Sequence, residues 1–200
     1  MPQATSTIVS QAFRMMELTP PSSLDDDSEK SASAKEQYDI ALNMCLEAAD
    51  WSFASTLAHL PAAVLPTTAA ADAELPHVYT LPGDLVRLHE VGDGTTNWRV
   101  DAIGETSAIR ANQEAPLRVR YTAKVTNEAR LPATFQTAVA AQLALLLAPR
   151  WQPTTSKIGL ISDQHQQLMR EAMRRDARMA SQARYDGLND QGDWIAEARL

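Results

Sequence analysis

The chain is poor in the residues that announce chemistry. A single cysteine, Cys45, stands in 200 residues, so no internal disulfide can form. It falls within an apolar helical pattern and reads as a small buried hydrophobe in a protein made in a reducing compartment. Glycine is scarce, at seven residues. There is no glycine loop ending in Lys-Ser or Lys-Thr to cradle phosphate, and no Gly-x-Ser-x-Gly elbow to present a nucleophile. The four histidines, His59, His77, His89 and His165, are far apart. None has a second ligand at a metal-binding helical spacing. No catalytic, cofactor-binding or metal residues are therefore expected. Long apolar runs are also missing, since the stretch Ala138 to Ala148 is broken by Gln142 and falls short of the ~20 residues a membrane span needs. No basic and apolar signal segment opens the chain, so the sequence reads as soluble, cytoplasmic and without a membrane partner.

Basic charge is the other shortage. The net charge is -7, and the excess acid is N-terminal: residues 1 to 50 hold nine acids and three bases, residues 51 to 150 nine and eight, residues 151 to 200 seven and seven. Affinity for nucleic acid comes from phosphates neutralised by Lys and Arg, and this balance offers no broad basic face. A channel that merely passes DNA tolerates it.

What is present is helical periodicity interrupted by a block of a different period. Residues 5 to 18 place Ile8, Val9, Ala12, Met15 and Met16 on one face and stop at Thr19-Pro20-Pro21. A second helix is predicted from Asp27 or Ser28 to about Trp51, with Ala34, Tyr38, Ala41, Leu42, Cys45, Leu46 and Ala49 as its core side. Residues 61 to 73 are a connector of Ala, Thr and Pro. Short β-rich runs follow at 78–81, 85–91, 98–103, 107–111 and 117–125, divided by Gly92-Asp93-Gly94, Gly104 and Pro116. In the last run Leu117, Val119 and Tyr121 alternate with Arg118 and Arg120, so the former point inward. A third helix begins at Pro132 and ends before Pro149, with Phe135, Val139, Leu143, Leu146 and Leu147 among alanines as a central core helix. A fourth starts near Thr155 or Ser156 and extends toward Tyr185 with Ile158, Ile161, His165, Leu168, Ala172 and Met179 on its seam.

The fold class read from this pattern is mainly α: a four-helix bundle of residues 1–74 and 132–186, a small antiparallel β insertion at 75–131 between helices two and three, and an extended tail at 187–200. The bundle is expected to fold without the insertion. Three features remain outside that scaffold. Asp25-Asp26-Asp27 reads as capping and solvation at a helix N-terminus, because the other oxygen ligands of a calcium loop are missing. Arg170, Arg174 and Arg178 recur every fourth residue on the last helix, a basic stripe diluted by Glu171 and Asp176; it suits a solvated face, an acidic neighbouring subunit or DNA. Trp194 and Ile195 form an apolar pair in a polar tail flanked by Gly187 and Gly192, which suits docking on a neighbour.

Two motifs carry a resemblance. The second helix closes on Ala48-Ala49-Asp50-Trp51-Ser52-Phe53-Ala54, and Tyr79-Thr80-Leu81-Pro82-Gly83-Asp84-Leu85-Val86-Arg87 opens the β block. With two further helices and a Trp-containing tail, in this order and spacing, the chain resembles the head-to-tail adaptors of tailed bacteriophages, the tail tubular protein A kind. The resemblance implies a virion protein at the neck, made in the host cytoplasm, that is not an enzyme. It implies a homo-oligomeric, dodecameric ring beneath the portal protein, contacts to tail or nozzle proteins, and packaged duplex DNA passing through the lumen without specific binding. Arg170, Arg174, Arg178, Trp194 and Ile195 are the candidate subunit or portal interface. The alternative is a helical DNA-binding or regulatory accessory protein that uses the basic face of the last helix.

Overall fold

The computed structural model describes residues 6–64, 72–103, 106–151 and 154–179. Helix α1 (Thr7–Met15) starts where the Ser6 hydroxyl accepts the Val9 amide at 3.2 Å. It ends earlier than the apolar pattern does. Glu17 takes a positive φ of 62°, which lets the Leu18 amide bond the Phe13 carbonyl and the Glu17 amide bond that of Arg14, both at 2.9 Å. That pair of bonds satisfies the last carbonyls before the prolines. Helix α2 (Glu29–Glu47) is capped by Ser28, whose Oγ accepts the Ser31 amide at 3.2 Å. It stops short of Trp51, which lies in the following turn and donates its Nε1 proton to the Cys45 carbonyl at 2.9 Å.

Helix α3 (Ala133–Trp151) is the centre of the helical part, in contact with α1, α2 and α4 (Thr155–Met179). Ala138, Ala140, Ala141 and Ala144 are fully buried in it, because a methyl side chain lets neighbouring helices approach on several sides at once. Pro149 lies inside α3 instead of ending it. The last turn tolerates this residue, since only one amide near the helix end is lost. No described helix is long and apolar enough to cross a membrane.

Six strands among the described residues correct the mainly α expectation. They are β1 (Ser55–Leu60), β2 (His77–Thr80), β3 (Leu85–Val91), β4 (Trp98–Ile103), β5 (Thr106–Ala111) and β6 (Leu117–Ala123). They form two antiparallel three-stranded sheets, ordered β1-β6-β3 and β2-β5-β4. The protein is therefore an α and β structure, not a four-helix bundle with a small insertion. Strand β1 precedes residue 75, where the sequence pattern places the start of the insertion, and pairs with β6 from Ser55↔Thr122 to Leu60↔Leu117. Its Ser-Thr-Leu-Ala-His-Leu sequence is too polar to announce a strand, yet Leu60 supplies a buried side chain.

The two sheets face each other across an apolar layer. Leu60, Val91, Leu117, Val119 and Tyr121 come from one sheet, Tyr79, Ile109 and Ala111 from the other. This core is distinct from the helical one, which gathers Phe13, Leu42, Leu46, Trp51, Phe135 and Leu143. Few groups join them. Ala54 and Val125, at the two ends of the sheet region, belong to the helical core with Val86 against it, and the Ala54 carbonyl accepts the Ala123 amide at 2.8 Å. Arg87 reaches the Glu47 carbonyl at 2.9 Å and Lys124 pairs with Asp39 at 2.9 Å. The tail at 187–200 lies outside the described residues.

Candidate functional site

Helix α4 packs on α3 by one face. Ile161, Met169 and Ala172 are buried there, and His165 Nδ1 lies 3.1 Å from the Ala138 carbonyl. The spacing of these residues leaves the opposite face to solvent, and Arg170, Arg174 and Arg178 all lie on it, exposed. Among the described residues no carboxylate pairs with any of the three. Glu171 is occupied by Arg175, in an exposed i, i+4 pair. Asp176 does not dilute the stripe, because it turns inward and accepts the Ser52 amide at 2.8 and 3.1 Å and the Ser52 hydroxyl as well. The stripe thus spans about 12 Å of helix with no internal counter-charge. It can attract an acidic surface. Trp194 and Ile195 lie outside the described residues.

The two sequence motifs prove to be structural joints. Trp51, 1% exposed, packs edge-to-face on Phe135 at 4.8 Å and tilted against Phe53 at 5.7 Å between ring centroids, and Ser52 holds α4 through Asp176. Tyr79 is fully buried and donates its hydroxyl proton to the Gln113 carbonyl at 2.6 Å. Asp84 accepts the Tyr121 hydroxyl at 3.0 Å, and its carbonyl takes the Lys124 amide at 2.7 Å. One motif ties α2 to α3 and α4; the other ties β3 to β6.

Sequence reasoning missed two charge networks, because their members are far apart along the chain. In the first, Asp50 after α2 meets Arg120 of β6 at 2.5 Å, and Arg120 also reaches Glu90 of β3 at 3.4 Å. His89 Nε2 lies 2.7 Å from Thr122 Oγ1 and 3.6 Å from Asp50 Oδ1. An acid, an imidazole and a hydroxyl in sequence suggest a proton relay. Here both oxygens meet the same ring nitrogen and Thr122 is fully buried, so the group is a brace between α2 and the sheet. In the second network Arg99 lies 2.8 Å from Asp72 and 2.9 Å from Asp101, and Arg110 lies 3.1 Å from Asp101. The amides of Glu74 and Leu75, then Arg99, hold the Asp72 carboxyl below the usual aspartate range.

The remaining titratable groups are structural in their surroundings. Burial pushes the Cys45 thiol up to about 12, as expected of a cysteine in an apolar core. Asp25 pairs with Lys35 at 3.2 Å and Asp26 accepts the Ser22 hydroxyl at 2.9 Å. Glu128 collects the Ser6 hydroxyl, the Thr7 amide and the Tyr38 hydroxyl, which ties the start of α1 to α2. Among the described residues no three His, Cys, Asp or Glu side chains gather where a metal ion could sit. In comparison with known proteins, no family model matches the chain and no curated protein matches it.

Proposed function

We propose that the chain is a structural head-to-tail adaptor of a tailed bacteriophage, a subunit of a dodecameric ring that docks on the portal, contacts tail proteins and lets duplex DNA pass through its lumen. The reading rests on the ordered motifs that resemble the tail tubular protein A family. The observation that carries it in the fold is the outward face of α4. A 25-residue helix leaves three exposed arginines with no paired carboxylate among the described residues, on a chain whose net charge is -7. Such a face is complementary to acidic protein surface, of which this chain has a surplus, and a ring repeats the contact at every interface. Trp194 and Ile195 are assigned to a second contact, in which the tail anchors on a neighbouring subunit or on the portal. The virion neck follows as the location.

The direct test is light scattering of the purified chain with and without portal protein. Ring-sized complexes that form with portal and fail with an Arg170→Glu, Arg174→Glu, Arg178→Glu triple variant support the adaptor. The same arginines favour one second reading, a DNA-binding regulator. That protein stays a small oligomer and binds duplex DNA with a salt slope that falls by about one for each arginine removed.

A further inference from the structure

Strand β4 is an open sheet edge of an unusual kind. It is regular along Trp98 to Ile103, and its side away from β5 has no backbone partner among the described residues. The other edges are blunted or lack its pattern. Beside β2 the Ala63 amide bonds the Val78 carbonyl at 2.7 Å, and β3 shifts register at Leu85/Arg87 and Leu88/Glu90. Edge strand β1 has one exposed large apolar residue, Leu57. Strand β4 has two on one face, Trp98 at 41% and Val100 at 47% exposure. They pair with Ala111 and Ile109, residues of the core between the sheets. Trp98 and Val100 are thus the part of that apolar face which the opposite sheet leaves uncovered.

One hydrogen bond fixes which backbone groups point outward. The Asn97 carbonyl accepts the Asn112 amide at 3.1 Å. Asn97, Arg99 and Asp101 therefore direct their amides and carbonyls to β5, and Trp98, Val100 and Ala102 direct theirs to the free edge by alternation.

We propose that a second copy of this chain pairs here, β4 against β4, antiparallel about a two-fold axis through Val100. Val100 then faces Val100, and Trp98 faces Ala102 in both directions, large against small. Each of these three pairs exchanges two backbone hydrogen bonds. Arg99 of each copy lies opposite Asp101 of the other. Sliding one strand by two residues sets Arg99 against Arg99, and sliding it the other way sets Asp101 against Asp101. Directly opposed like charges are destabilising, so charge selects the Val100-centred register from the three. The pair makes one six-stranded sheet from two three-stranded ones. It closes at two subunits, describes the free chain, and uses none of the residues assigned to the adaptor contact.

The test uses the full chain with Val100→Cys and a short bismaleimide, since the native Cys45 is 2% exposed. The expected result is a covalent dimer forming at least about tenfold faster than with Leu57→Cys on β1. An interface of one strand is small, so wild type should scatter as a dimer only near about 100 μM, with Val100→Lys monomeric and unchanged in its melt. The register is tested separately: Arg99→Asp and Asp101→Arg are each monomeric alone and associate when mixed, because the mixture restores both opposite-charge pairs. Cross-linking of Val100→Cys no faster than Leu57→Cys would overturn the proposal. So would association that survives Val100→Lys, or single variants that pair no better mixed than alone.

Discussion

Removing the sheets should leave a folded helical protein, and the structure says where to cut. Strand β1 belongs to the sheets, so the excision runs from Ser55 to Thr122, and the 2.8 Å bond between the Ala54 carbonyl and the Ala123 amide shows that a short Gly-Ser linker can close the gap. The helical core then loses the half-buried Val86, worth about 1 kcal/mol of apolar burial. It also loses the Arg87 bond to the Glu47 carbonyl, about 1 kcal/mol, and the contacts of Arg120 and His89 with Asp50, about 0 to 1 kcal/mol each. The sum is about 2 to 4 kcal/mol, which lowers the melting temperature of the remaining helices by roughly 10 to 30 °C. Circular dichroism at 222 nm should show helical signal and one cooperative melt. A chain that keeps neither would show that sheets and helices depend on one shared core and would refute the reasoning.

Trp51→Ala removes a 1% exposed side chain from the Phe53 and Phe135 cluster, and urea unfolding should show a loss of about 3 to 5 kcal/mol; a loss under about 1 kcal/mol would contradict its place as the helical anchor. The Asp72 carboxyl is held below its ordinary value of about 3.9, so its contribution to stability is complete above that pH and is lost as pH falls through the lower folded value. Asp72→Asn should flatten the acid limb of a stability profile below about pH 4, and an unaltered limb would remove Asp72 as its source. Replacing Arg170, Arg174 and Arg178 by Glu should change the melt little, within about 0.5 kcal/mol per substitution, because all three are exposed and unpaired among the described residues. A large destabilisation would mean that α4 needs them for its own fold.

Local signals in the sequence located most elements, and the failures share a cause. The start of α2 at Asp27 or Ser28, of which Ser28 is the cap, the alternation of Leu117, Val119 and Tyr121, and the alanine-rich α3 are each written in adjacent residues, and each stands where that pattern puts it. Strand β1 is written elsewhere, in its pairing with β6 more than 50 residues on, so its own six residues give no strand signal. Pro149 signals a stop because a proline breaks a helix interior, but the last turn of α3 has little left to lose. The arginine stripe was legible from its i, i+4 spacing. That Asp176 leaves it to hold Ser52, and that Asp50, Glu90 and Arg120 converge, depends on how the helices meet the sheets.

The adaptor reading meets its most direct test in single-particle imaging of the purified chain mixed with portal protein. The account predicts a closed ring of this chain seated on the portal, an open lumen wide enough for duplex DNA, and no ring when the tail is cut after Gly187. Filter binding on the same preparation should give only non-specific DNA affinity, about 10⁻⁴ to 10⁻⁶ M near physiological salt. A chain that stays off the portal and instead forms a sequence-specific nanomolar complex with duplex DNA would contradict it.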